Sequence, residues 1–299
     1  MKRTIVDTSR VYGYVDLVED ITRLEERYSF IHVDNIGFSV LGKSIPVLRI
    51  GGGSSHVHFN GSFHANEWIT SMLLMKFVED YADAYANSDQ LYGDNVCERF
   101  RQTTIWVVPM VNPDGVELVQ GRLSLEQPHY KQVLVWNLGS TDFSGWKANI
   151  RGVDLNDQFP AGWDAEKERR GVKGPGPRDY AGEYPLCEPE ACAIADFTRR
   201  HCFRMVLAFH TQGEEIYWNY RDFEPPESEE IVKRLARVSG YIPIKLTDSD
   251  AGYKDWFIQE FRRPGFTVEA GLGVNPLSLD QFPRMYDAVS RLMLEALKI

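Results

Sequence analysis

The chain has 299 residues, 43% of them hydrophobic and 25% charged, enough to bury a large core as one big domain or two ordinary ones. Its 33 basic and 43 acidic residues leave a net charge of -10, which excludes a nucleic-acid partner held by phosphate neutralisation. Nothing approaches the roughly 20 apolar residues of a membrane span, and the opening "MKRTIVDTSRVYGYVDLVED" has no apolar stretch of signal-peptide length, so the sequence reads as cytoplasmic.

Residues 1–30 read as an N-terminal helical extension, and "IPVLRI" (45–50) and "HVHFN" (56–60) as strands. "ANEWITSMLLMKFVEDYADAYA" (65–86) repeats its apolar residues at intervals of three and four, the period of a helix. Where strand turns into helix, His64 stands three residues before Glu67. With seven histidines in the chain, chance alone supplies roughly half an occurrence of this spacing, so the pair decides nothing by itself. "TIWVVPM" (104–110), "MVLAF" (205–209) and "GFTVEA" (265–270) are further strands; "EPEACAIADFTRRH" (188–201), "PESEEIVKRLARVSG" (226–240) and "DQFPRMYDAVSRLMLEAL" (280–297) are further helices. The stretch from Gln127 to Gly182, rich in Gly, Pro, Trp and charge, reads as mostly loop. No repeat or linker divides the sequence, so it is taken as a single domain over residues 1–299. The alternation predicts an α/β sandwich, a mostly parallel sheet covered by helices on both faces.

In such a sheet, ligands bind beyond the carboxyl ends of the strands. His64 follows one strand end and His210 another, so the two converge on one crevice. His64 and Glu67, at i and i+3, can offer an imidazole and a carboxylate to one ion, and His210 is the natural third ligand of a catalytic zinc open to water. Glu269 interrupts an apolar strand at its carboxyl end, a costly place for a carboxylate unless it is paired or working; beside a metal it can move protons. His56 and His58 alternate on one strand and are taken as structural. Cys97, Cys187, Cys192 and Cys202 form no CxxC pair and read as ordinary thiols. GxSxG and HExxH are both absent.

"HANE", "GVDLN" (152–156), "AFHTQGEE" (208–215) and "FTVEAG", in this order, resemble the zinc carboxypeptidase family over essentially the whole chain. The resemblance implies an eight-stranded mixed sheet between helices, zinc held by His64, Glu67 and His210, and Glu269 as general base and acid. "GWKANIRGVDLNDQFP", "HTQGEEIYW" and "GYKDWFIQEFRRPGFTVE" are most similar to the bacterial branch that cleaves the γ-D-glutamyl to diaminopimelate bond of peptidoglycan stem peptides. It implies a small peptide partner of that kind, a muropeptide stem peptide. The alternatives are a general zinc carboxypeptidase and a catalytically silent peptide-binding member of the fold.

Where the family places an Asn-Arg pair to grip a terminal carboxylate, this chain has Asn156 and then Asp157, which would repel it. Asp157 either welcomes an ammonium, as on diaminopimelate, or pairs with a protein cation such as Arg151. The family's carbonyl-polarising arginine falls to Lys147 or Arg151, and both remain open. Its loop tyrosine has at best a displaced substitute in Tyr253. Gln212 lies close behind His210 and either lines the pocket or orients the histidine.

Overall fold

The structure, a computed structural model, describes residues 4–299; of the N-terminal extension, positions 1–3 lie outside the described residues. Strands β1 (Ile31–Phe38), β2 (Ser44–Ile50), β3 (Ser55–Gly61), β4 (Thr103–Val108), β5 (Met205–His210), β6 (Glu215–Tyr217), β7 (Ile242–Ile244) and β8 (Gly265–Glu269) form one sheet. Their spatial order is β1-β2-β4-β3-β5-β8-β6-β7. The four central strands, β4, β3, β5 and β8, run parallel, whereas β1–β2, β2–β4 and β8–β6 pair antiparallel, so the sheet is mixed. A small two-stranded hairpin, Gln90–Leu91 with Asp94–Asn95, stands apart from it.

The helices are α1 (Tyr14–Arg27), α2 (Ile69–Asn87), α3 (Val96–Gln102), α4 (Pro113–Val119), α5 (Tyr130–Trp136), α6 (Trp163–Arg170), α7 (Pro189–Arg199), α8 (Glu227–Ser239), α9 (Tyr253–Phe261) and α10 (Phe282–Ala296). Side-chain alternation along the strands builds two cores. On one face Val57, Phe59, Leu207, Phe209 and Val268 pack with α1, α2, α8 and α10. On the other, Val206 and Ala208 pack with α7 and α9. The central strands therefore read as unbroken apolar runs because both of their faces are covered. Helix α1 is no loose appendage, since Leu17, Ile21 and Leu24 are buried in the first core.

The stretch Gln127 to Gly182 is less purely loop than its composition predicts: it holds α5, α6 and a single 3-10 turn at Leu155–Asp157. His58 is structural, fully buried against Phe203 with both ring nitrogens bonded, to the Trp106 carbonyl and to Asn60. All four cysteines are free thiols. Among the described residues, no helix is long and apolar enough to cross a membrane.

Candidate active site

The carboxyl ends of β3, β5 and β8 meet at one cleft. Strand β3 ends in Gly61, where a side chain would crowd Leu74 and Thr70 of α2, each 3.0 Å from its first carbon. The small residue lets the chain pass close under the helix. Ser62 then turns with φ +50°, its N–H held by the Thr70 hydroxyl at 2.9 Å. That turn delivers His64 and, one 3-10 turn later, Glu67 to the same side.

His64 Nδ1 lies 2.9 Å from Glu67 Oε1, His210 Nδ1 lies 3.0 Å from Glu67 Oε2, and the two Nδ1 atoms are 3.2 Å apart. All three side chains are buried. Two imidazole nitrogens aimed at each other across a carboxylate make a donor set for a cation, and its N,N,O composition suits zinc. The electrostatics agree. Burial alone would lower the proton affinity of His64, yet the Glu67 and Asp154 carboxylates push it up to about 9, so the spot favours positive charge. Glu67, although burial opposes its ionisation, is held well below the usual carboxylate range by the two histidines.

Asp154 was not singled out by the sequence reading. It is buried, and its Oδ1 sits 3.1 Å from His64 Nε2, an arrangement that fixes the ring so that Nδ1 faces inward. Its partner is 90 residues away in the chain, so no local pattern within "GVDLN" marks it. Asn275 is also new. Its amide donates to Glu67 Oε1 at 3.4 Å and to the Thr211 carbonyl at 2.8 Å, while the Thr211 N–H reaches Glu67 Oε2 at 3.2 Å.

Glu269 is the register partner of His210 on the adjacent parallel strand, which sets it beside the donor trio without making it part of it. It borders a cleft of about 420 Å³ that Asn66, Lys147, Arg178, Gln212, Tyr217 and Asn275 also line. Enclosure by protein and the nearby Glu67 charge push its carboxyl up to about 8.

The structure separates the two cations left open by the sequence. Lys147 lines the cleft; Arg151 is half-exposed, 3.7 Å from Glu188, and borders a different pocket with Tyr180 and Tyr184. Asn156 caps α9 by accepting the Tyr253 N–H and does not line the cleft. Asp157 is buried and faces Arg170 of α6 at 3.3 Å, not Arg151. Burial and the neighbouring Asp154 raise its carboxyl, with Arg170 opposing. Tyr253 departs furthest from expectation. It is fully buried among Phe63, Phe159 and Trp256 with its hydroxyl 2.8 Å from that of Thr198, so it serves the second core and not the substrate.

The family model described as zinc carboxypeptidase matches residues 17–269. The γ-D-glutamyl-L-diamino acid endopeptidase 1 of Lysinibacillus sphaericus is 49% identical over 293 residues, 98% of this chain and 74% of that protein. The Bacillus subtilis (strain 168) protein YqgT is 38% identical over 296 residues, 98% of this chain and 78% of its own length. Among solved structures, bovine thrombin-activatable fibrinolysis inhibitor, in complex with tick carboxypeptidase inhibitor, superposes with a TM-score of 0.74 at 18% identity over 97% of both chains, a likeness of fold alone.

Proposed function

Because this chain belongs to the zinc carboxypeptidase family, we propose that it is a zinc metallopeptidase that hydrolyses the γ-D-glutamyl to diaminopimelate amide bond of peptidoglycan stem peptides. One observation carries the choice of bond: a relative named as a γ-D-glutamyl-L-diamino acid endopeptidase aligns with 98% of the chain at 49% identity. A plain carboxypeptidase is less well supported, because the position after Asn156 is a buried carboxylate, not a cation able to clasp a terminal carboxylate.

His64, Glu67 and His210 would hold the zinc, which when bound supplies Lewis-acid polarisation of the scissile carbonyl and acidification of water. Glu269 takes the proton from the attacking water as the carbon–oxygen bond forms. Its second duty is to return that proton to the departing amine as the carbon–nitrogen bond breaks. Lys147 stabilises the oxygen that gains negative charge. Gln212 and Asn66 offer amide groups to the peptide along the cleft wall.

The test is incubation of the zinc-loaded protein with L-Ala-γ-D-Glu-meso-diaminopimelate and, separately, with an ordinary N-acyl dipeptide, products being read by mass. Release of L-Ala-D-Glu and diaminopimelate, with the dipeptide left intact, is expected. Cleavage of the dipeptide alone would identify a general carboxypeptidase instead, and cleavage of neither would sink the proposal.

A further inference from the structure

The γ-linkage has an electrostatic consequence. In an ordinary peptide the residue on the acyl side of the scissile bond has its α-carboxyl consumed in the chain. In a γ-glutamyl amide that carboxylate is free and sits at the end of the short arm leading to the reacting carbonyl. A cleft walled by the Glu269 carboxylate repels it unless a cation on the wall faces it.

Two cations line the cleft, Lys147 and Arg178. We propose that Arg178 determines specificity by pairing its guanidinium with the free α-carboxylate of the γ-linked glutamyl residue. This deepens the function proposed above and rests on it. Lys147 is assigned to the reacting oxygen, and Arg178 is what remains.

Arg178 is held in place from both sides. The carbonyl of Pro177, just before it, accepts hydrogen bonds from the N–H groups of Lys147 at 2.8 Å and Ala148 at 3.0 Å. The N–H of Asp179, just after it, donates to Asp154 Oδ2 at 3.3 Å, and the Tyr180 carbonyl accepts from the Asp154 N–H at 2.9 Å. The guanidinium is thus mounted on the segment that joins the oxyanion cation to the carboxylate behind His64.

Its own ties are light. Among the described residues, its carboxylate partner is Asp179, 3.4 Å from Nε, and Asp179 is shared with Arg170, also at 3.4 Å. The terminal amino groups of Arg178 remain for a ligand, and the side chain is 58% exposed at the cleft. A planar fork with two parallel N–H groups matches a carboxylate bidentately, which a lysine does not.

The experiment is a double comparison with the zinc-loaded enzyme: wild type and Arg178→Gln, each on L-Ala-γ-D-Glu-meso-diaminopimelate and on the analogue whose glutamyl α-carboxylate is converted to an amide. Wild type is expected to lose on the order of 10- to 100-fold in kcat/KM on amidation, the range of a charge-assisted hydrogen bond. Arg178→Gln should lose a similar factor on the acid and almost nothing further on the amide, with zinc content unchanged. Arg178→Lys should recover part of the loss on the acid alone. Equal losses of Arg178→Gln on both substrates would mark a structural residue and overturn the inference. So would an Arg178 effect that disappears on amidating the diaminopimelate carboxylates instead. Both of those results leave wild-type cleavage of the γ-D-glutamyl substrate standing, whereas failure of wild type to cleave it would overturn the function as well.

Discussion

Replacing Asp154 by Asn tests whether the charge behind His64 helps to hold the metal. The substitution keeps size and an acceptor oxygen but removes one negative charge from a buried contact of 3.1 Å. A hydrogen bond to an ionised partner contributes about 1.5–3 kcal/mol against about 1 kcal/mol for a neutral pair, so the charge accounts for about 0.5–2 kcal/mol, with about 1.4 kcal/mol near the middle. That is about a tenfold rise in the zinc dissociation constant, at the lower end of the 10- to 100-fold range typical of groups that orient metal ligands. Asp154→Ala, which also frees the ring to rotate, should weaken zinc by about 100-fold. Zinc affinity is read by competition with a chromophoric chelator at fixed pH, with circular dichroism confirming that each variant is folded. A folded Asp154→Asn protein that binds zinc as tightly as wild type would refute the reasoning, because the carboxylate would then serve only the loop backbone it holds at Asn156 and Asp179.

Glu269→Gln should retain zinc while kcat falls by about two to four powers of ten, since a neutral amide cannot carry the proton; near-normal turnover would point to another base. Lys147→Ala should lower kcat by about 100-fold or more and Arg151→Ala by less than threefold, because only the lysine lines the cleft; the reverse order in a steady-state assay would exchange their roles. Glu190 is fully buried and its carboxyl is raised by burial from 4.5 to about 7. A raised carboxyl contributes stability that is complete below its unfolded value and lost as pH rises through the folded one. Urea titrations of Glu190→Gln and wild type should therefore differ more in the variant's favour at pH 8 than at pH 5, by about 2–3 kcal/mol; the same difference at both pH values would show that Glu190 does not titrate in this window.

The central strands were legible because burial on both faces makes them continuous apolar runs. Edge and short strands were not. Strand β1, "IHVDNIGF", mixes polar and apolar residues because one edge of the sheet is wet, and β6 and β7 are three residues each, too short to display a period. His64, Glu67 and His210 could be gathered from their positions at strand ends. Arg178 sits in "GVKGPGPRDY", where nothing but its folded place on the cleft wall, beside the Pro177 carbonyl that holds the Lys147 N–H, distinguishes it from any loop arginine. Asp157 and Arg170 are thirteen residues apart and meet only because α6 folds back over the 3-10 turn. Tyr253, at best a displaced substitute for the loop tyrosine, turns out to be core because its position next to "KDWF" does not say which side of α9 it occupies.

The strand that carries Glu269 is inserted between β5 and β6, two strands joined by only a few residues and made some fifty positions earlier in the chain. A chain emerging in order can form the β3–β4 and β3–β5 pairs early, but the gap between β5 and β6 is filled only when residues 265–269 arrive and pair with both. Pairing across that separation carries a loop-closure cost and comes late in folding. The Glu269 side of the cleft is therefore among the later parts of the sheet to form. A chain that stops before residue 265 carries His64, Glu67 and His210 but lacks Glu269 and Asn275, which wall the cleft, and α10, which closes the first core.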